Sequence, residues 1–239
     1  MKKMLNLLIA TLLCIGALSA QNFMPKVHNG IRYQVMENIG DGDVEPALVV
    51  YLHGGSGRGE DNRTQMNQTV ADIAKYIRKN SVPALFLVPQ CPSDCEWEGR
   101  DEGIGYTDRV EELVSYYLEA KNMDLNRIYI CGVSMGACGV WRMLKDNPKM
   151  FTAAIIASGQ PFQTSPTRFT EIPLYVTVGS EERSFEPLQW FTSAINRAGG
   201  SVKFDVLVGY RHREACDGAF TTKRLKWLFS QTKSAAANR

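Results

Sequence analysis

The chain has 239 residues, with 27 basic against 25 acidic side chains and 44% hydrophobic residues. That length and composition suit one domain with a sizeable core. The near balance of charge, with no basic block, argues against a nucleic-acid partner.

The first stretch, "MKKMLNLLIATLLCIGALSAQ", has a basic start at Lys2 and Lys3 and then an apolar run that ends in small residues. This is the layout of a secretory signal peptide, and the run is too short to favour a membrane span. We expect a signal over 1–20, cleavage after Ala20, and one catalytic domain over 21–239. Export to a periplasmic or extracellular location follows. Leu13 before Cys14 argues against a lipoprotein signal. No later apolar run argues for stable membrane insertion.

Short apolar runs then alternate with helical patterns. "IRYQVM" (31–36) alternates and predicts an early, partly exposed strand, after a surface turn containing His28. "ALVVYLH" (47–53) and "ALFLVPQ" (84–90) are continuous and predict strands buried on both faces. Helical spacing covers 70–80 and 107–122, the latter with Thr107 as the expected N-cap. "RIYICGVS" predicts a strand and "MGACGVWRMLKDNP" a helix stopped at Asn147-Pro148. Strands are expected at 153–158, 173–179 and 202–209. Helices are expected at 186–200, ending on Gly199-Gly200, and at 220–229. Strands alternating with helices imply an α/β fold with a mostly parallel central sheet and helices on both faces. Function in such sheets sits in the loops at the carboxyl ends of the strands.

At one such end lies Gly132-Val133-Ser134-Met135-Gly136, a G-x-S-x-G sequence between a strand and a helix. This arrangement suits a nucleophile elbow, in which a sharp turn projects the serine hydroxyl clear of the sheet. The N–H of Met135 opens the helix, where donors are unpaired and negative charge is favoured. A serine needs a base. Of the three histidines, His212 follows the last strand and comes after the serine in chain order, so it is the expected base. His53, in "HGGSG", marks a loop rich in exposed N–H groups, and Gly55 is its expected second oxyanion donor. The acid should follow "PLYVTV". Glu181 and Glu182 are both candidates there, and Asp217 ranks after them.

Taken together, "VVYLHGGSGRGEDN", "FLVPQCP" with Trp97, "DLNRIYICGVSMGACGVWRML" and a histidine loop before the last helix resemble the α/β-hydrolase superfamily. More narrowly, they resemble its secreted esterase and predicted-peptidase group, akin to prolyl oligopeptidase, feruloyl esterase and polyhydroxyalkanoate depolymerase domains. The resemblance runs from about Ala47 to Phe229. It implies Ser134 as nucleophile, His212 as base, and Gly55 and Met135 as backbone oxyanion donors. Its Gly-x-x-Asp spacing falls on Gly179 to Glu182 and selects Glu182 as the acid. Glu in place of Asp, Ala137 where a glycine is common, and a longer "HREACD" loop depart from the pattern.

Removing Cys14 leaves an odd number of cysteines. Cys138–Cys216 could tie the catalytic loops together, Cys91–Cys95 is an alternative pair, and Cys131 is expected as a buried thiol. Trp97 is either part of an aromatic substrate site or plain packing. The histidines and Cys91-x-x-x-Cys95 make no zinc site, and no metal or organic cofactor is implied. The expected activity is that of an exported serine esterase acting on a small-molecule or polysaccharide-linked ester, acetyl or feruloyl for example. A serine peptidase and a non-catalytic hydrolase-fold binding protein are the alternatives.

Overall fold

The computed structural model describes residues 23–39, 44–99 and 105–233. The expected signal over 1–20 lies outside the described residues. The strands are β1 (Met24–His28), β2 (Ile31–Asn38), β3 (Ala47–Leu52), β4 (Ala84–Gln90), β5 (Ile128–Val133), β6 (Ala153–Ala157), β7 (Leu174–Gly179) and β8 (Val202–Leu207). The helices are α1 (Gln68–Lys79), α2 (Thr107–Ala120), α3 (Met135–Asp146), α4 (Phe185–Arg197), α5 (His212–Asp217) and α6 (Thr222–Phe229).

The strands form one sheet in the order β1-β2-β4-β3-β5-β6-β7-β8. From β4 to β8 every neighbouring pair is parallel; β2 is antiparallel to both β1 and β4. β3 and β5 sit centrally and are buried at every position. Their continuous apolar sequences are explained by cover on both faces. Leu48, Val50 and Leu52 join one layer of core with Val110 and Val114 of α2, Val140 and Trp141 of α3, and Leu188 and Ile195 of α4. Ala47, Val49 and Tyr51 face the other layer, with Val70, Ile73 and Ile77 of α1 and Leu225 and Leu228 of α6. Each such aliphatic side chain contributes about 1.5–3 kcal/mol when fully buried.

Three local expectations need correction. His28 is not in a turn but is the last residue of β1, paired with Ile31 across Asn29-Gly30. Both turn residues have positive φ, 43° and 84°, as a two-residue hairpin requires. Most of β1 faces solvent, so it carries no apolar run to reveal it. β2 is largely buried rather than partly exposed, because Ile31, Tyr33 and Val35 join one core layer and Met36 the other. Thr107 is the first residue within α2, not its cap; Tyr106 holds the cap position and makes no side-chain cap bond.

Candidate active site

Ser134 stands between β5 and α3 with φ 53° and ψ −120°, a conformation that costs an L-residue roughly 1–3 kcal/mol. The surroundings hold it there. Its N–H donates to the Ala157 carbonyl at 2.8 Å, and its carbonyl accepts from Cys138 at 3.2 Å. The two glycines of the motif are required by close approach. A Cβ at Gly132 would sit 2.5 Å from the Gly136 carbonyl oxygen, and one at Gly136 would overlap the Leu52 carbonyl oxygen. We predict that Gly136→Ala destabilises the fold by about 3 kcal/mol, read as a lowered denaturation midpoint. An unchanged midpoint would show that α3 can retreat from β3.

The Ser134 hydroxyl lies 2.7 Å from Nε2 of His212, which opens α5 in the loop after β8. The other ring nitrogen, Nδ1, lies 2.6 Å from Oε2 of Glu182. Glu182 is held from three sides. The Gly179 N–H donates to Oε1 at 2.8 Å, the Ser158 hydroxyl donates to Oε1 at 2.7 Å, and Ser184 donates to Oε2 at 3.4 Å. The Glu182 side chain is only 3% exposed, whereas that of His212 is 54% exposed. Burial alone would raise the Glu182 carboxyl, but the hydrogen bonds from His212, Gly179 and Ser158 outweigh it and hold the group below its ordinary value. The same contact with Glu182 raises His212 above the usual histidine value, against the opposing effect of burial. An ionised Glu182 keeps the ring proton on Nδ1, which leaves Nε2 as an acceptor facing Ser134.

The other carboxylates considered from the sequence make no contact with the His212 ring among the described residues. Glu181 is exposed, and its N–H donates to the Tyr210 carbonyl at 3.1 Å. Asp217 lies 3.9 Å from Arg213 in an exposed pair at the far end of α5. Ser158 carries no motif in the sequence beyond its place at the end of "AAIIAS". It directly follows β6 at φ 58°, is 4% exposed, and donates its hydroxyl to Glu182. The signal that could have found it is its place at the carboxyl end of the strand beside β5.

Ser134, His212, Glu182, Gly55 and Met135 line one open cavity of about 670 Å³. Gly55 starts a short 3-10 turn, Gly55–Gly57, directly after His53 and Gly54. A Cβ on Gly54 would lie 3.4 Å from that of Ser134, so this loop abuts the serine. His53 itself is fully buried and organises the loop. Its Nδ1–H donates to the Gly54 carbonyl at 2.7 Å, and its Nε2 accepts the Cys91 N–H at 3.0 Å. Beyond it, Gln90 accepts the Asn62 N–H at 2.6 Å and donates to Asp61 at 2.8 Å. Asn62 in turn donates to the Tyr33 carbonyl at 3.0 Å. These bonds explain the "GRGEDN" and "VPQCP" sequences as the two halves of one brace.

Burial lowers His53 to about 4. The unfolded chain therefore takes up this proton at higher pH than the folded one, and stability falls as pH drops from about 6.5 toward 4. We predict an acid-side loss approaching 3 kcal/mol from this group, measured as midpoint against pH. A His53→Gln variant should show a shallower slope; the same slope would assign the loss to other groups.

Trp97 is fully buried, and its indole N–H donates to the His53 carbonyl at 2.9 Å. It is therefore packing and not an aromatic wall of the site. Cys91, Cys95, Cys131, Cys138 and Cys216 form no disulfide. The suggested Cys138–Cys216 and Cys91–Cys95 bridges are absent among the described residues. Burial pushes the thiols of Cys91, Cys131 and Cys216 up to about 12, which suppresses their reactivity at neutral pH. Among the described residues no cluster of His, Cys, Asp or Glu is arranged to hold a metal ion, and no helix is long and apolar enough to cross a membrane.

No family model matches the chain, and no curated protein does. Many solved structures match it. A thermostable esterase superposes with a TM-score of 0.80 at 26% identity, over 90% of this chain and 64% of its own. The chain thus spans just under two thirds of that esterase. S-formylglutathione hydrolase from Staphylococcus aureus gives 0.65 at 15% identity, over 87% of this chain and 98% of its own. The feruloyl esterase module from Clostridium thermocellum, complexed with sinapinate, gives 0.65 at 14% identity, over 88% and 87%. With its strand order and its strained serine after the fifth strand, the chain has the α/β-hydrolase fold.

Proposed function

We propose that the protein is a serine carboxylic ester hydrolase. The observation that carries this reading is the hydrogen-bonded relay from Ser134 through His212 to the buried Glu182. In the proposed reaction, Ser134 Oγ attacks the ester carbonyl while Nε2 of His212 takes its proton. Glu182 stabilises the resulting imidazolium. The N–H groups of Gly55 and Met135 receive the tetrahedral oxyanion. Collapse breaks the bond to the leaving oxygen, which takes the proton from His212 and departs as the alcohol. Water then attacks the acyl-enzyme with His212 as base, and the acid product leaves Ser134 regenerated.

The natural substrate in this reading is a carbohydrate-linked acetyl or feruloyl ester. Support comes from the open cavity and from structural neighbours that include esterases and a feruloyl esterase module. Residues 1–20 act as an export signal and residues 21–239 as one catalytic domain. The test sets short-acyl aryl esters against peptide amides, with Ser134→Ala as the control. Ester turnover that the variant loses is the expected result. Turnover retained by the variant would sink the proposal, and cleavage of amides alone would move it to a peptidase.

A further inference from the structure

We infer that the site takes an ester bearing a carboxylate near the scissile bond, held by guanidinium groups; this deepens the ester-hydrolase reading and rests on it. Arg58, Arg183 and Arg211 line the cavity that contains Ser134. They arrive from separate loops, after β3, β7 and β8. Arg183 directly follows the acid, and Arg211 directly precedes the base. Among the described residues Arg58 donates to backbone carbonyls, those of Gly55 at 3.3 Å and Cys95 at 3.5 Å. None of these arginines takes part in an ion pair among the described residues. Glu96 and Glu181 also line the cavity, while Glu182 is committed to His212. The three arginines thus match the three carboxylates of the lining in number, with Glu182 already spent on His212, in a chain whose overall charge is near balance.

A guanidinium suits a carboxylate because its planar donors match the two oxygens. The convergence of these side chains on one cavity distinguishes it from a scattered charged surface. A neutral ester leaves them in water, whereas an anionic one engages them as it reaches Ser134. The carboxylate could belong to the acyl group or to the alcohol, and the test has an arm for each. One arm compares the p-nitrophenyl monoester of adipate with its methyl ester. The other compares 4-carboxyphenyl acetate with its methyl ester.

The expected result is a kcat/KM about tenfold higher for the anion in at least one arm. The advantage should shrink as salt screens the exposed arginines, and should fall toward unity in Arg58→Gln or in the double variant Arg183→Gln, Arg211→Gln. A ratio at or below one in both arms, or one indifferent to all of these substitutions, overturns the inference. Loss of turnover on every ester would overturn the ester-hydrolase reading instead. Titration of the Ser134→Ala protein with the same pairs then decides the inference by itself. Tighter binding of an anion, about tenfold, supports it, and equal affinities overturn it.

Discussion

Ser134→Ala is expected to lower kcat for ester hydrolysis on the order of a millionfold, with the fold retained. In the proposed reaction the serine supplies the atom that bonds to the acyl carbon, so no neighbour can replace it. His212 and Glu182 would remain in place with nothing to activate, and residual turnover would come only from the N–H groups that polarise the carbonyl. The fold should survive because the turn is held by backbone bonds to Ala157 and Cys138, which alanine keeps. Alanine also keeps the strain at φ 53°. Ser134→Gly, equally inactive, should therefore be more stable than Ser134→Ala by about 1 kcal/mol. Matched rate assays and denaturation midpoints on the two variants check both statements. Equal midpoints would mean that the turn stores no strain.

Glu182→Gln is expected to lower kcat about ten-thousandfold and to shift the acid limb of the pH profile. In the proposed reaction His212 must be neutral to receive the Ser134 proton. In the native protein Glu182 raises His212, so kcat/KM should climb with pH through a midpoint above the ordinary histidine value of 6.5. Without the carboxylate only burial acts on the ring, and burial favours the neutral form. The limb should then move to lower pH even as the plateau falls. The fall has a separate cause. The amide can donate to Nδ1, which places the ring proton on Nε2 and leaves no acceptor facing the serine. A pH–rate profile of the variant separates the two effects. A collapsed plateau with an unmoved limb would show that another group sets the His212 titration.

The α/β alternation was legible because its cause is local. A run such as "ALVVYL" is apolar at every position because helices cover both faces of the strand it forms. The elbow was legible for the same reason, since strand, glycine, serine, glycine and helix follow one another without interruption. The hairpin at Asn29-Gly30 carried a turn signal, yet the solvent-facing β1 had no apolar pattern to go with it. Thr107 matched a capping residue in type while standing one place too late.

The partners of Ser134 were legible in kind but not in contact. His212 stood out because it follows the last strand, but it is 78 residues from Ser134. Choosing among Glu181, Glu182 and Asp217 by the sequence alone needed a borrowed spacing, because neighbouring residues on a turn point in different directions. Ser158 and Glu182 meet across 24 residues, and Asn62 and Gln90 across 28.

By itself the sequence determined the strands from β2 to β8, every longer helix, and which serine follows β5, while β1 and the short α5 escaped it. Those properties follow from periodicity, side-chain size and the glycines beside Ser134. Only the tertiary structure decided that Glu182 meets His212, that Ser158 secures Glu182, that the five described cysteines form no disulfide, and that the arginines share a cavity with the serine. Each of those depends on the order and register of parallel strands, which bring the ends of distant loops within hydrogen-bond reach.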